Sequence, residues 1–562
     1  MRGSVLRLDV PRHLPGWLTS SGLGGRLRSC PSLPHPQRPN GVSNRGGQRV
    51  ALVKPPMQVG RANHVTLACP PLGLAYLAST LRSQGIHVTV VDALGEAPDD
   101  VRPLEHNPNL LRYGLEDEQI LARIPRDTTI VGVSCMFSEE WPVARTTIRA
   151  IGRALPEAFI VCGGEHVSAT AGLVLRECPE VNACALGEGE ETLLELARAL
   201  DSGRPLSDVP GLVLRSDTRL LHTSRRARIR ALDAIPPPAW DLLPMEQYLV
   251  RGLGYGVRRG RSMPIVATRG CPFQCTFCSS PQMWTTRWNA RDPEAVLNEM
   301  ADSIERWRVQ NFDFYDLTAI VRKDWIVEFS RRLAEKRWNI TWQIPAGTRS
   351  EALDGEVLQL LFASGCRNIA YAPESGSPAV LRRIKKRVKL ERMKASMRQA
   401  VAAGLKVKCN LVMGFPDETH EEMAQTIELC RELATLGIHD VNVTPFCPYP
   451  GSELFEQLLA SGRISGLDDR YFEMLASYSD LMQTASFNAY LSSRQLGRLR
   501  WSAMFQFYAM SFALHPLRAA SLASNLALGR ETTRLERALT DIAQRQLAVW
   551  RGRAGRRRVG HA

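Results

Sequence analysis

Two stretches of this chain alternate short apolar runs with helical patterns, and that alternation limits the fold more than any other feature. The first stretch opens at Arg49-Val-Ala-Leu-Val-Lys-Pro-Pro56 with a short buried-strand run. Leu72 to Gln84 has helical spacing and ends at Gly85. His87 to Asp92 and Thr129-Ile-Val-Gly-Val-Ser134 are strand patterns, and Trp141 to Leu155 is a helix pattern. Phe159-Ile-Val-Cys-Gly-Gly164 and Val181 to Leu186 are further strands, and a helix follows from Glu191 to Leu200. Alternation of this kind predicts a doubly wound, mostly parallel α/β sheet of Rossmann-like type. Ligands of such sheets bind outside the carboxyl ends of the strands.

A connector covers 211–262, with a small hairpin at Gly211-Leu-Val-Leu-Arg215 and Arg219-Leu-Leu-His-Thr223 and a stiff linker at Pro236-Pro-Pro238. The second alternating stretch follows. Its strand patterns lie near 264–268, 311–316, 340–344, 368–373, 407–413 and 440–445. Six βα units predict a partial (β/α)6 barrel rather than a closed eight-fold one. From 456 to 550, Leu, Ala, Met and aromatic residues recur at helical spacing. The expected division is an N-terminal extension at 1–48, a first domain at 49–210, the connector at 211–262 and the barrel at 263–456. A helical region at 457–550 and a basic tail at 551–562 complete it. The extension is expected to be disordered, or to reflect a start codon assigned too far upstream.

Directly after the run Pro264-Ile-Val-Ala-Thr268 come three cysteines in Cys271-Pro-Phe-Gln-Cys275-Thr-Phe-Cys278. Cubane iron–sulfur clusters are held by cysteine thiolates, normally four. Three from one loop leave one iron open to a small molecule, as an open metal site requires. A zinc site would want a fourth Cys or His in a matching knuckle, and none is nearby. The other ten of the 13 cysteines show no framework spacing, which favours a reducing cytoplasm over an oxidising compartment.

The net charge of +14 suggests a polyanion partner until it is mapped. Residues 1–48 hold seven Arg and one Asp, and residues 551–562 hold five Arg and no acid, so 49–550 carry only +3. A balanced body with basic ends is not a phosphate-tracking surface, and no nucleic-acid partner is expected. No apolar stretch is long enough to span a bilayer.

These motifs together resemble the radical S-adenosylmethionine (SAM) enzymes that carry a cobalamin-binding domain. The cysteine loop, with Phe277 before its last cysteine, carries the match. So do Glu374-Ser-Gly-Ser377, Asn410-Leu-Val-Met-Gly-Phe-Pro-Asp-Glu-Thr419 and Pro448-Tyr-Pro-Gly-Ser-Glu453. In the first domain, Pro70-Pro-Leu-Gly-Leu-Ala-Tyr-Leu77, Gly132-Val-Ser134, Gly163-Gly-Glu-His166 and Gly187-Glu-Gly-Glu190 extend it. The resemblance implies a [4Fe-4S] cluster on Cys271, Cys275 and Cys278. It implies SAM near Phe277, Arg349, Glu374, Ser375 and Gly414. It implies cobalamin near Leu72, Gly73, Ser134, Gly163, Gly164, Gly187, Glu188, Gly189 and Glu190. The cobalt-binding DxHxxG sequence is absent, so cobalamin without a lower histidine ligand is implied, and His166 is read as a turn histidine.

Several residues keep two readings. Glu418 and Thr419 fit either a ligand turn or a βα turn with a helix cap. Trp284 and Trp288 fit a ligand wall or core packing. The run from Trp501 to Tyr508 fits a lid over the barrel mouth or ordinary helix packing.

The resemblance implies reductive cleavage of SAM to a 5′-deoxyadenosyl radical and methylation of an unactivated centre in a small molecule or natural-product intermediate. An oxidative cyclase of the anaerobic magnesium-protoporphyrin monomethyl ester type is the second reading. A non-catalytic cobalamin or redox sensor is the third. An external one-electron reductant such as flavodoxin or ferredoxin is the expected partner.

Overall fold

The computed structural model describes residues 47–63, 68–216, 219–349 and 351–559, and these form one compact unit. The expected N-terminal extension lies outside the described residues but for its last two positions. The first sheet holds β1 (Arg49–Lys54), β2 (His87–Asp92), β3 (Ile130–Ser134), β4 (Phe159–Gly163), β5 (Ala183–Ala185), β6 (Leu212–Ser216) and β7 (Arg219–His222). Their order is β7-β6-β5-β4-β3-β1-β2. Pairing is parallel from β2 through β5 and antiparallel at β6 and β7. The hairpin expected inside the connector is therefore the edge of this sheet. Its alternation of buried and exposed positions could not show which sheet it would join. The chain runs from β1 to β2 on one side and returns to β3 on the other. That reversal places a ligand crevice at the carboxyl ends of β1 and β3.

The second sheet holds β8 (Ser262–Ile265), β9 (Asn311–Phe314), β10 (Thr341–Thr348), β11 (Cys366–Glu374), β12 (Lys406–Met413) and β13 (Asp440–Pro445). All are parallel and neighbours in sequence order, as a six-unit partial barrel requires. Alternate residues face opposite sides of a strand. Phe312, Phe314, Trp342, Ile344, Ile369, Tyr371, Val407, Cys409 and Leu411 are buried in one core cluster with the helices Lys323–Lys336, Gly355–Ala363 and Leu390–Ala402. Their alternates, among them Asp313, Gln343, Ala370, Lys408 and Asn410, face the concave side.

Two small elements were not legible in the sequence. Met57–Gly60, Leu110–Tyr113 and Val101–Pro103 form a three-stranded sheet. Thr268–Arg269 pairs with Asn289–Ala290 and closes the base of the cysteine loop. The tail is helical at Glu453–Ala460, Asp469–Leu475, Ser493–Leu514 and Pro516–Ala527. A last helix, Arg534–Val559, runs on into the expected basic tail. No helix of the described residues is long and apolar enough to cross a membrane.

A buried ion-pair network joins the two sheets. The Glu188 carboxylate, after β5, accepts from Arg228 Nε at 2.7 Å, from the Ile229 amide at 2.9 Å and from Arg269 Nη1 at 3.3 Å. Arg269 Nη2 donates to Glu190 at 2.6 Å. The side chains are between 2% and 9% exposed, so the pairs are shielded from water. Arg269 lies two residues before Cys271. The network therefore fixes the cysteine loop against the carboxyl end of the first sheet. Removing Glu188 leaves Arg228 without its carboxylate in low dielectric, while Arg269 keeps Glu190, and breaking a buried pair costs about 3–5 kcal/mol. Glu188→Ala is expected to lose stability of that order in urea unfolding. A loss below about 1 kcal/mol, the value of a surface pair, would show that the network does not hold the sheets together.

Candidate active site

The cysteine loop leaves the barrel through a clamped strand end. Asp316 accepts from the Thr268 amide at 2.5 Å and from its hydroxyl at 2.6 Å. Gly270 then turns the chain with φ +89; a Cβ there would lie 2.1 Å from the Arg287 carbonyl oxygen, so only glycine fits. The loop is tied down by Thr276, whose amide donates to the Ile384 carbonyl and whose carbonyl accepts from Leu454 N. Ser279 Oγ donates to Glu165 at 2.5 Å, joining the loop to the first domain.

Cys271, Cys275 and Cys278 are all half-buried, and burial raises all three thiols, Cys278 to about 11. Each lies close enough to another of the three for its charge to be felt. Among the described residues no three Cys, His, Asp or Glu side chains converge on one ion-sized point. Three thiolates from one loop suit a cubane, in which each takes its own iron.

Glu374 ends β11 with φ +69, and its carboxylate accepts from Lys386 Nζ at 2.7 Å; both side chains are about one-tenth exposed. Lys386 was not singled out from the sequence. Its only signal was the basic run after the helix Pro378–Arg383, which reads as an ordinary charged surface. Burial works against the Lys386 ammonium, but Glu374 and Cys275 outweigh it and raise its pKa. Arg349 lies over the Phe273 ring at 3.7 Å and pairs with Glu351 at 2.6 Å. Phe277 packs edge-on against Phe415, with centroids 5.7 Å apart.

Other expected SAM contacts are turned to different uses. Ser375 is fully buried, and its hydroxyl meets Thr426 at 3.1 Å on the helix His420–Thr435. At Gly414 a Cβ would lie 2.6 Å from Leu496, so the close approach there is to the helix Ser493–Leu514. Glu418 accepts from the amides of Gly414 and Phe415, and Thr419 caps the following helix, so both belong to the turn.

In the first domain, Leu72 and Gly73 start the helix Leu72–Ser83, and nothing lies within 4 Å of where a Gly73 Cβ would be. Ser134 and Gly163 end β3 and β4, both partly open. Gly187 (φ +73) follows β5 and donates its amide to Ser168 Oγ. Gly164 and Gly189 are small for local reasons: a Cβ would meet the Cys135 carbonyl oxygen at 2.3 Å and Leu77 at 3.0 Å respectively. The carboxylates of Glu188 and Glu190 are engaged in the network between the sheets. His166 is buried, with Nδ1 2.9 Å from Ser138 Oγ and Nε2 3.1 Å from Thr170 Oγ1. Burial lowers its pKa to about 3, so it is a neutral core residue with both nitrogens engaged. Trp284 carries the Arg228 guanidinium on its face, and Trp288 donates to the Thr318 carbonyl.

Tyr478, which follows the helix Asp469–Leu475, keeps 38% of its surface open. It feels the charges of Glu374 and Cys278 on one side, while Tyr449 and Tyr255 feel Glu139 on the other. At the first-sheet end, Lys54 Nζ pairs with Glu140 at 3.1 Å, and Gln58 donates to the Glu139 carbonyl. These tyrosines thus stand between the cysteine loop and the segment after β3.

The comparisons agree with this division. Residues 265–430 match the model of the radical SAM superfamily, and residues 59–197 match the B12 binding domain. An uncharacterized methyltransferase of Pyrococcus horikoshii is 30% identical over 462 residues, covering 82% of this chain and 92% of that protein. An anaerobic magnesium-protoporphyrin IX monomethyl ester cyclase of Rubrivivax gelatinosus is 26% identical over 416 residues, covering 73% and 70%. The radical SAM methyltransferase TsrM of Kitasatospora setae, solved with cobalamin and a [4Fe-4S] cluster, shares the fold. Its TM-score is 0.58 at 19% identity, covering 74% of this chain and 78% of that one.

Burial, reinforced by Glu140, raises the Glu139 carboxyl to about 8 from a usual 4.5. Folding therefore takes up a proton there between those values, and stability falls as pH rises through them. Glu139→Gln is expected to flatten the pH dependence by about 1.4 kcal/mol per pH unit in that window. Urea midpoints at several pH values check this; a slope unchanged by the substitution would count against it.

Proposed function

The chain belongs to the radical SAM enzymes that carry a B12-binding domain, and from that premise we propose that it is a cobalamin-dependent methyltransferase acting on a small molecule. The tie of the cysteine loop to the carboxyl end of the first sheet, through Arg269–Glu188 and Ser279–Glu165, carries this reading. It sets the crevice of the first sheet opposite the cysteine loop, so two cofactors can act on one substrate between them.

In this reading Cys271, Cys275 and Cys278 hold the cluster, with Gly270 and Asp316 shaping their loop. Glu374 and Lys386 offer one acceptor and several donors to the polar end of SAM, and Phe277 packs beside it. Arg349 is held by Glu351 and Phe273 and shapes this edge. Ser375 and Gly414 set the backbone of the neighbouring turns instead of touching SAM. Leu72, Gly73, Ser134, Gly163 and Gly187 lie where cobalamin would be held, and the open space at Gly73 suits a large ligand. Gly164, Glu188, Gly189 and Glu190 support that crevice from behind. The engaged nitrogens of His166 support cobalamin held without this histidine as a cobalt ligand. When bound, these cofactors supply one-electron cleavage of SAM and a methyl group; the protein positions them and excludes water.

The domain boundaries proposed are those of the two sheets, with Leu212–His222 assigned to the first. Flavodoxin or ferredoxin is the proposed reductant class. The free, mostly buried cysteines support a reducing cytoplasm, and the charge balance of 49–550 supports a protein without a nucleic-acid partner. The Rubrivivax relative keeps oxidative cyclisation as the second reading.

Anaerobic reconstitution tests the reading. The wild type is expected to take up about four irons per chain, bind cobalamin and cleave SAM when reduced. Cys275→Ala is expected to lose the iron and the SAM cleavage and to keep cobalamin. A cluster without cobalamin in the wild type would remove the methyltransferase reading, and loss of both cofactors in the variant would contradict two separate sites.

A further inference from the structure

The barrel interior has a floor. The segment Gly254-Tyr255-Gly256 lies against the concave face, where the Gly256 amide donates to Asp313 at 3.0 Å. The Val257 amide donates to Gln343 Oε1 at 3.0 Å, and Gln343 Nε2 returns a bond to the Val257 carbonyl at 2.8 Å. A Cβ at Gly256 would lie 2.1 Å from Gln343 Nε2, so glycine is needed for this approach. The last helix closes the floor. Its Arg534 donates through Nη1 to the carbonyls of Tyr255 at 2.8 Å and Gly256 at 3.0 Å.

Two cations at this floor have donors to spare. Cys409, beside Lys408 on β12, packs its sulfur 3.5 Å from Met397 on the helical side, so Lys408 points into the lumen. Lys408 is half-buried. It makes no hydrogen bond or ion pair among the described residues. Arg534 is likewise half-buried, and its Nε and Nη2 have no partner among the described residues. The two cations feel each other's charge.

The nearby carboxylates are already satisfied. Asp440 pairs in register with Lys408, but its oxygens accept from the amides of Arg534 at 2.8 Å and Leu535 at 3.1 Å. Asp313 accepts from Gly256, Gln343 and Asn311. Burial and the Arg534 charge lower Lys408 to about 7, against the pull of Asp440. A buried cation without a matching anion costs stability. Beside Lys408 in the sheet stands Ala370, whose small side chain is buried.

We propose that Lys408 and Arg534 form an oxyanion-binding subsite at the barrel floor, and that the substrate docks a carboxylate or phosphoryl group there while its reacting carbon is held nearer Glu374 and Tyr478. This deepens the methyltransferase reading by naming the substrate class. Lys408 supplies three N–H donors on a flexible stem, and Arg534 supplies three more in a fixed plane. Both carboxylate and phosphoryl oxygens suit that set.

The test titrates inorganic phosphate, and separately acetate, into the reconstituted full-length protein at constant ionic strength. Saturable binding of one or both at one site per chain is expected, and which binds more tightly separates the two sources. Lys408→Met keeps the volume and removes the charge. It is expected to weaken binding about tenfold or more, the size of one charge-assisted hydrogen bond, while Lys408→Arg keeps it. Lys408→Met is also expected to leave thermal stability unchanged or raised. No saturable binding of either anion, equal affinity in Lys408→Met, or a marked loss of its stability would overturn the proposal. Wild-type protein that binds the anions but lacks cobalamin or SAM cleavage would instead sink the methyltransferase reading and leave the subsite standing.

Discussion

The arrangement rests on one buried ion-pair network. Glu188 stands between Arg228 and Arg269, and Arg269 reaches on to Glu190. Two carboxylates and two guanidiniums balance in charge, and they share their hydrogen bonds away from water. Such a group specifies geometry more than it adds stability, because desolvation offsets much of the Coulombic gain. Its position gives it meaning. One side belongs to the loop after β5, at the ligand end of the first sheet. The other is the strand that delivers Cys271. The crevice of one sheet and the cysteine loop of the other are thereby held at a fixed relation.

Phenols gather between the two ends: Tyr255, Tyr315, Tyr449 and Tyr478 all have their ionisation pushed up by burial, so they stay neutral. Neutral phenols bind polar ligands without adding charge near a redox site. Charge is kept to the ends. Glu374 and Lys386 stand by the cysteine loop, Lys54 and Glu140 by the first sheet, and Lys408 and Arg534 at the floor. A substrate can be oriented by the floor while its far end faces both cofactors, which is the positioning that chemistry between two large cofactors needs.

Much of this was legible in the sequence. β2 and β13 fall where the apolar runs placed them, because long-range pairing reinforced a clear local pattern. The edge strands β6 and β7 and the sheet through Met57–Gly60 were not legible, since partner choice at a sheet edge depends on the rest of the fold. The three cysteines stand out by their spacing, whereas Glu374 came only with the family resemblance. Gly164, Gly189 and Gly414 were expected near ligands, and each has backbone or a leucine against it. A glycine reports close approach, not what approaches. Lys386 and Lys408 look like surface lysines in sequence; only the register of β12 and the turn after Pro378–Arg383 bury them.

The central claim is that cluster and cobalamin are held close together at the carboxyl ends of the two sheets. Electron paramagnetic resonance on the reconstituted protein, with the cluster reduced and the cobalamin in its Co(II) form, tests it most directly. The expected result is a spectrum split or broadened by dipolar coupling between the two spins, with the coupling lost in Cys275→Ala. A spectrum that is the plain sum of two isolated centres would contradict the claim.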